Sequence, residues 1–148
     1  MNSFKRFYLW QENFLDHLAF LKDPAILLAR IYLAQIFFLS GLTKLRDWDS
    51  TLFLFQEEYQ VPLLPPELAA YLGTGGELLL PLLLLLGYFT RASGIGLFIV
   101  NIIAVISLLD ITQAALSQHV LWGVLLIVAI ILGGGKLSLD FYLLKRPR

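Results

Sequence analysis

The chain has 148 residues, enough for one domain. Its hydrophobic fraction of 58% and charged fraction of 15% depart from the roughly 45–50% and about 25% of soluble domains. The apolar residues also stand in long blocks, which excludes an ordinary soluble domain. Zero net charge gives no basis for nucleic-acid binding, and the absence of cysteine excludes disulfides, iron–sulfur clusters and zinc–thiolate sites within this chain.

Residues 1–22 mix aromatic and polar side chains. Apolar residues recur every three or four positions, which is the spacing of an amphipathic helix. We predict an interfacial amphipathic segment lying on the membrane, with a disordered tail as the alternative. Polar residues interrupt any signal-peptide core, so we expect the segment to stay on the mature protein. The apolar stripe consists of Phe7, Trp10, Phe14, Leu18 and Leu21.

Residues 23–148 contain four apolar blocks of about 20 residues, and each is long enough as a helix to cross about 30 Å of hydrocarbon. The first follows Asp23-Pro24, a helix-start signal with Asp as N-cap. We therefore predict an all-α membrane protein, a four-transmembrane-helix bundle with the N-terminal interfacial helix attached. The predicted spans are about 24–45, 66–87, 91–110 and 116–133.

The connection between the first two spans, residues 46–66, is long for a helix bundle. It carries apolar and aromatic side chains and three prolines. We predict a short helix over 49–59 followed by an extended segment, packed on the end of the bundle. Its aromatic residues make it a candidate surface for a membrane or periplasmic protein partner.

Lysine and arginine placement predicts the orientation of the chain in a bacterial inner membrane. Eight basic residues fall on one side of the spans and two on the other, which predicts cytoplasmic N- and C-termini and an outward-facing 46–66 loop. The eight are Lys5, Arg6, Lys22, Arg91, Lys136, Lys145, Arg146 and Arg148, and the two are Lys44 and Arg46.

Ionisable and polar residues inside the spans are costly in lipid, so they are functional candidates. Counted along the helices, Arg30 lies about 9 Å from the start of its span, and Gln35, Glu77 and Asn101 lie near the midplane, about 15 Å in. These depths predict an Arg30–Glu77 contact supported by Gln35 or Asn101. The contact is either a structural clamp or part of a polar pocket with a proton-accepting or ligand-orienting carboxyl.

A second polar set, Lys44, Asp110 and His119, gathers toward the predicted outer face. It forms either the mouth of a pocket or ordinary interface solvation. His119 lacks a second axial histidine in the spans, since His17 lies in the interfacial segment, so the sequence predicts no intrinsic haem. Without neighbouring carboxylates it predicts no metal site.

Several short motifs follow one another along the spans. They are Arg30…Gly41-x-x-Lys44-Leu45, the prolines before the second span, Glu77 with Leu86-Gly87, the Thr90-Arg91 turn, and GGGKLSLD at 133–140. In this order and at these spacings, they resemble the DoxX family of small four-helix membrane proteins, over about residues 25–140 and without the first 22. The resemblance implies an accessory or subunit protein tied to redox chemistry, as in relatives that serve a thiosulfate:quinone oxidoreductase or methylamine dehydrogenase maturation. No catalytic role comes with the matching positions.

Three functions follow as hypotheses. The first is a membrane subunit associated with an oxidoreductase, which binds a quinone or lipid-like ligand between apolar walls. The second is a non-catalytic assembly, scaffolding or export factor that uses the 46–66 loop. The third is a small transporter, which would need a homo-oligomer because four spans are few. An independent enzyme is the least favoured, because no catalytic residues or cofactor motif are identified.

Overall fold

The structure, a computed structural model, describes residues 3–143, without the side chains of Ser3, Tyr8 and residues 13–17. Phe14 and His17 as side chains, and Lys145, Arg146 and Arg148 entirely, therefore lie outside the described residues. The helices are α1 (Ser3–Leu18), α2 (Lys22–Arg46), α3 (Trp48–Glu57), α4 (Pro66–Leu86), α5 (Thr90–Ser107), α6 (Gln113–Leu132) and α7 (Leu139–Leu143), with a 3-10 turn (Ala19–Leu21) between α1 and α2.

Four of these helices, α2, α4, α5 and α6, are long and apolar enough to cross a membrane. Their ends lie within three residues of the predicted spans, so the predicted all-α, four-span membrane fold is confirmed. Helix α1 forms where the amphipathic segment was predicted. Its position on the membrane surface stays a prediction.

The core of the bundle is a layer of large aliphatic and aromatic side chains from all four spans. Helix α2 also approaches α4 closely at Gly41, where a Cβ atom would lie 2.9 Å from Leu78 Cγ and 3.1 Å from Glu77 Cβ. This contact fixes the register of the two helices, because it sets Gly41 level with Glu77. The core residues are Leu33, Phe37, Leu84, Leu97, Leu126 and Ala129.

We call the end of the bundle that carries residues 46–66 the loop end. Helix α3 forms there, as predicted, and Asp47 caps it by accepting the Ser50 N–H at 3.0 Å. Phe55 of α3 packs on Ala69 and Ala70 of α4. The following segment is held to α5, since the Gln60 N–H donates to the Ser107 carbonyl at 2.9 Å. Residues 46–66 therefore cover the loop end of the bundle, and we call this segment the roof.

We call the opposite end, with residues 133–143, the tail end. Asp140 caps α5, where its two carboxylate oxygens accept the N–H groups of Phe89 and Thr90, each at 2.8 Å. Asp23 is not the N-cap of α2, and that prediction is wrong: α2 begins at Lys22 with no side-chain cap. The Ala19 carbonyl of the 3-10 turn already accepts the Lys22 N–H, and Asp23 instead accepts the Lys136 N–H at 2.9 Å.

Candidate ligand-binding cavity

A cavity of about 600 Å³ opens at the loop end, between α2, α4, α5 and α6 and beneath the 46–66 roof. Its volume lies within the roughly 300–1,000 Å³ of small-molecule sites, and its wall is mostly aliphatic and aromatic, as such sites require. Polar groups enter this wall from every element around it. They are Ser40, Thr43, Lys44, Tyr59, Glu77, Ser107, His119 and Trp122.

An ion pair between Lys44 and Glu77 forms one side of the cavity. Lys44 Nζ donates to Glu77 Oε2 at 2.5 Å and to Ser40 Oγ at 3.0 Å. The two side chains are only 21% and 10% exposed, so each charge needs the other in this apolar surrounding. The pair cancels its own charge, and the third ammonium proton of Lys44 remains for a ligand.

Asn101 and His119 form a second polar group on the α5–α6 side. The Asn101 amide nitrogen donates to the His119 carbonyl at 3.0 Å, which identifies its oxygen as the atom 2.8 Å from His119 Nδ1. An amide oxygen only accepts, so Nδ1 carries the proton and Nε2 is left as an acceptor. The imidazole is also held edge-on by Trp122, with ring centroids 4.8 Å apart.

Three further side chains complete the polar wall. Tyr59 belongs to the 46–66 loop and lines the cavity. Burial raises the pKa of its phenol, with smaller contributions from Glu58 and Glu77. The phenol therefore stays a neutral donor. Ser107 Oγ and Trp122 Nε1 are buried without a hydrogen-bond partner among the described residues. Such unsatisfied donors are uncommon in folded proteins. Tyr59 therefore adds a donor to the wall, whereas the Ser107 and Trp122 donors are buried behind its surface.

Arg30 does not contact Glu77, so the predicted pair is wrong. Arg30 is 1% exposed and donates to four backbone carbonyls at the tail end, at 2.6–2.9 Å. These belong to Leu84 and Leu85 in the last turn of α4, and to Gly134 and Leu137 in the tail. Arg30 is therefore a clamp that joins α2, α4 and the tail, away from the cavity.

The helix register explains this correction. Gly41 is level with Glu77, and Arg30 is eleven residues before Gly41, which separates it from Glu77 by about 16 Å along the axis. The predicted offset of about 6 Å assumed that the spans start at equal depth. Gln35 is displaced from Glu77 by about 9 Å for the same reason.

Besides Arg30, two predicted residues do not join the others. Gln35 is exposed on the outer surface of α2, and Asp110 is exposed in the turn between α5 and α6, outside the cavity wall. The structure brings Glu77, Lys44 and His119 to one cavity wall, and Asn101 bonds His119 without lining that wall. These contacts join members of the predicted midplane and outer sets, whose depths in the membrane stay predictions.

Tyr59, Ser107 and Trp122 are cavity residues that the sequence did not single out. Trp122 follows His119 by one helical turn, a spacing that places both on one face and that could have indicated it. Ser107 and Tyr59 gave no signal, because their meeting depends on how the roof folds over α5. In the part of the chain that the structure describes, no three metal-ligating side chains gather into a metal site.

Four membrane-spanning helices around a roofed, polar-lined cavity define a small polytopic membrane protein with a ligand-sized interior. The chain belongs to the DoxX family, whose model matches residues 25–110. It is similar to an uncharacterized protein of Haemophilus influenzae, at 31% identity over 130 residues that cover 82% of this chain and 84% of that protein. No solved structure matches the chain.

Proposed function

We propose that the chain is a non-catalytic membrane subunit that holds a quinone-class ligand in the loop-end cavity for an oxidoreductase of the inner membrane. The observation that supports it is the cavity itself, about 600 Å³ with an apolar wall and a few convergent polar groups. In this proposal both termini face the cytoplasm and the roof faces outward, as the distribution of basic residues predicts.

The charge of the cavity favours a neutral ligand. Among the described residues, Lys44 is the only lysine or arginine that lines the wall, and Glu77 neutralises it at 2.5 Å. A carboxylate or phosphate ligand would compete with Glu77 for Lys44 and leave a charge unpaired in an apolar site, which is costly. A quinone ring carries no charge and suits an apolar wall.

The hydrogen-bonding groups of the wall also suit both the oxidised and the reduced form of a quinone. The carbonyl oxygens of the oxidised form only accept, and the Lys44 ammonium and the Tyr59 phenol are donors on the wall. The hydroxyl groups of the reduced form also donate, and Nε2 of His119 is an acceptor in the tautomer fixed by Asn101. Unpaired polar groups penalise a wrong ligand, so these groups provide selectivity.

Tryptophan fluorescence tests the proposal, because Trp122 lies in the wall and quinones quench indole emission on contact. The starting protein carries Trp10→Phe and Trp48→Phe, which leaves Trp122 as the single tryptophan. Titration with a short-chain ubiquinone should give saturable quenching. A fatty acid of equal length, as the anionic comparison, should bind more weakly.

Two glycines of α4 provide a matched pair of variants. Gly73 lines the cavity, whereas a Cβ at Gly75 would meet nothing within 4 Å. Gly73→Leu should abolish saturable quenching, whereas Gly75→Leu should leave it unchanged. Ala104→Leu fills the cavity from α5 and should also abolish saturable quenching, as a second test. Absence of saturable quenching, equal quenching in the cavity-filled variants, or tighter fatty-acid binding would contradict the proposal.

A second candidate function, docking of a protein partner through the 46–66 loop, is supported by two exposed residues. Phe53 is 60% exposed and Leu63 is 102% exposed. Leu63 also has φ +65°, an uncommon conformation for a non-glycine residue that marks candidate functional positions. Capture of an oxidoreductase component by the wild-type chain but not by Phe53→Ser with Leu63→Ser supports this candidate, and equal capture refutes it.

A further inference from the structure

A second concavity, of about 480 Å³, lies at the tail end, remote from the ligand cavity. We call it the tail-end notch and define it by Lys22, Asp23, Lys136, Asp140 and the glycines 134–135 between them. The hydrogen bond from the Lys136 N–H to Asp23 joins residues 113 positions apart. It brings Lys136 beside the start of α2, and so beside Lys22.

The acidic side chains of the notch have hydrogen-bond donors, whereas its basic side chains have no ion-pair partner among the described residues. Asp23 accepts the Lys136 N–H, and Asp140 accepts the N–H groups of Phe89 and Thr90, so both carboxylates already have backbone donors. Lys22 and Lys136 are exposed, and within residues 3–143 as described neither ammonium group forms an ion pair. The notch therefore presents two ammonium groups without an ion-pair partner in the described part of the chain, beside two carboxylates whose oxygens already accept from backbone N–H groups.

The position of the notch identifies the anion that would fill it. The notch lies where α2 begins and α6 ends, at one end of the four candidate spans, and this is the level at which we expect lipid headgroups. Its wall also includes Leu132 and Phe141, which suit the glycerol and first acyl carbons of a lipid. A free anion would gain no favourable contact with this apolar wall. Basic pockets at helix ends commonly bind anionic headgroups.

We propose that the tail-end notch binds the phosphate group of an anionic phospholipid, between the Lys22 and Lys136 ammonium groups. The neighbouring Gly134 and Leu137 carbonyls accept from Arg30. A lipid seated in the notch would therefore stabilise the tail in the position that Arg30 needs.

Native mass spectrometry of the full chain in detergent tests this site by measuring the dissociation constant of phosphatidylglycerol. Lys22→Gln and Lys136→Gln should each raise that constant about fivefold, and the double variant about 25-fold. Arg46→Gln, the same loss of charge at the loop end, should change nothing, and Lys136→Arg should bind as the wild type does. Melting temperatures without lipid should be equal, because both lysine side chains are exposed.

Several results would overturn the proposal. If the double variant bound phosphatidylglycerol as tightly as the wild type, the notch would not be the binding site. If Arg46→Gln lost as much affinity as the lysine variants, the attraction would be a diffuse effect of charge. Equal affinity for phosphatidylcholine would show that the lysines do not select charge. Displacement of phosphatidylglycerol by an equal concentration of inorganic phosphate would identify a free anion as the ligand and refute the lipid assignment.

Discussion

Replacing Arg30 with methionine tests the tail-end clamp most directly. Methionine keeps much of the length and apolar stem of the side chain and removes every donor. In the wild type, Arg30 is 1% exposed and donates to four carbonyls from α4 and the tail. The substitution removes a charged donor from each of these carbonyls, which is expensive where the carbonyl is buried. The Leu84 carbonyl keeps a second donor, the Gly87 N–H at 3.1 Å, so it loses the bond to Arg30 but not every partner.

The magnitude follows from the burial of the individual bonds. The bonds to Leu84 and Gly134 are buried, whereas those to Leu85 and Leu137 are part-buried, where water can replace the donor. A hydrogen bond to a charged group contributes about 1.5–3 kcal/mol. Counting only the two buried bonds, Arg30→Met should lower the free energy of unfolding by about 3–6 kcal/mol.

Reversible unfolding in mixed micelles, followed by circular dichroism, gives this free energy. Arg91→Met is the matched control, because Arg91 donates a single exposed bond of 3.3 Å to the Ile131 carbonyl, and its loss should be below about 0.5 kcal/mol. Arg30→Lys should restore only part of the stability, since one ammonium cannot replace a planar guanidinium facing two groups of carbonyls. Equal stability of Arg30→Met and the wild type would refute the clamp.

Three further predictions concern charged groups. Glu77→Gln should cost about 2 kcal/mol in the same assay, because it leaves the Lys44 charge unpaired, and adding Lys44→Met should recover part of the loss. Asp140→Ala should cost about 1–2 kcal/mol by removing the cap of α5. Asp47 has a lowered pKa, chiefly from the Ser50 hydroxyl and then from the Ser50 N–H. Its stabilisation of α3 is present above the unfolded pKa of 3.8 and is lost as pH falls through the lower folded value. The protection factor of the Ser50 amide in hydrogen exchange should therefore fall in that window.

Each of these has a contradicting result. A Glu77→Gln variant as stable as the wild type would show that Lys44 does not need its counter-ion. An unchanged melting temperature in Asp140→Ala would show that water replaces the cap. Asp47→Asn should lack the acid step at Ser50, so a step that persists in this variant would assign it to another group.

The spans were predictable because lipid imposes a simple rule on the sequence. A helix of about 20 apolar residues is needed to cross the hydrocarbon. Pro66 marks the beginning of one such block, and Gly87 and Gly133 each mark the end of one. The short helix of the loop was predictable for a similar local reason, since Asp47 and Ser50 stand at capping positions. These features depend on neighbours in sequence.

The polar contacts depend on register and rotation, which the sequence does not state. Counting each residue from the start of its own span places Arg30 and Glu77 at similar depths, but the Gly41 contact with α4 sets them about 16 Å apart. The sequence predicts an internal Gln35 because a lipid-facing surface is as apolar as the core, so periodicity does not tell which face of α2 is buried. Asp140 gives no sign of its role in the sequence, because its partners Phe89 and Thr90 are 51 and 50 residues away.

The Arg30 clamp also sets an order on the biogenesis of the protein. The arginine is in the first span to leave the ribosome, and its partner Gly134 follows 104 residues later. At about 5–20 residues per second, translation takes about 5–20 seconds to supply that carbonyl. The Leu84 and Leu85 carbonyls follow Arg30 by 54 and 55 residues, so until the tail is made the guanidinium has only part of its acceptors, and its long stem lets it reach toward the surface. The tail therefore completes the hydrogen bonding of an arginine in the first span. A chain truncated before Gly134 would lack this step.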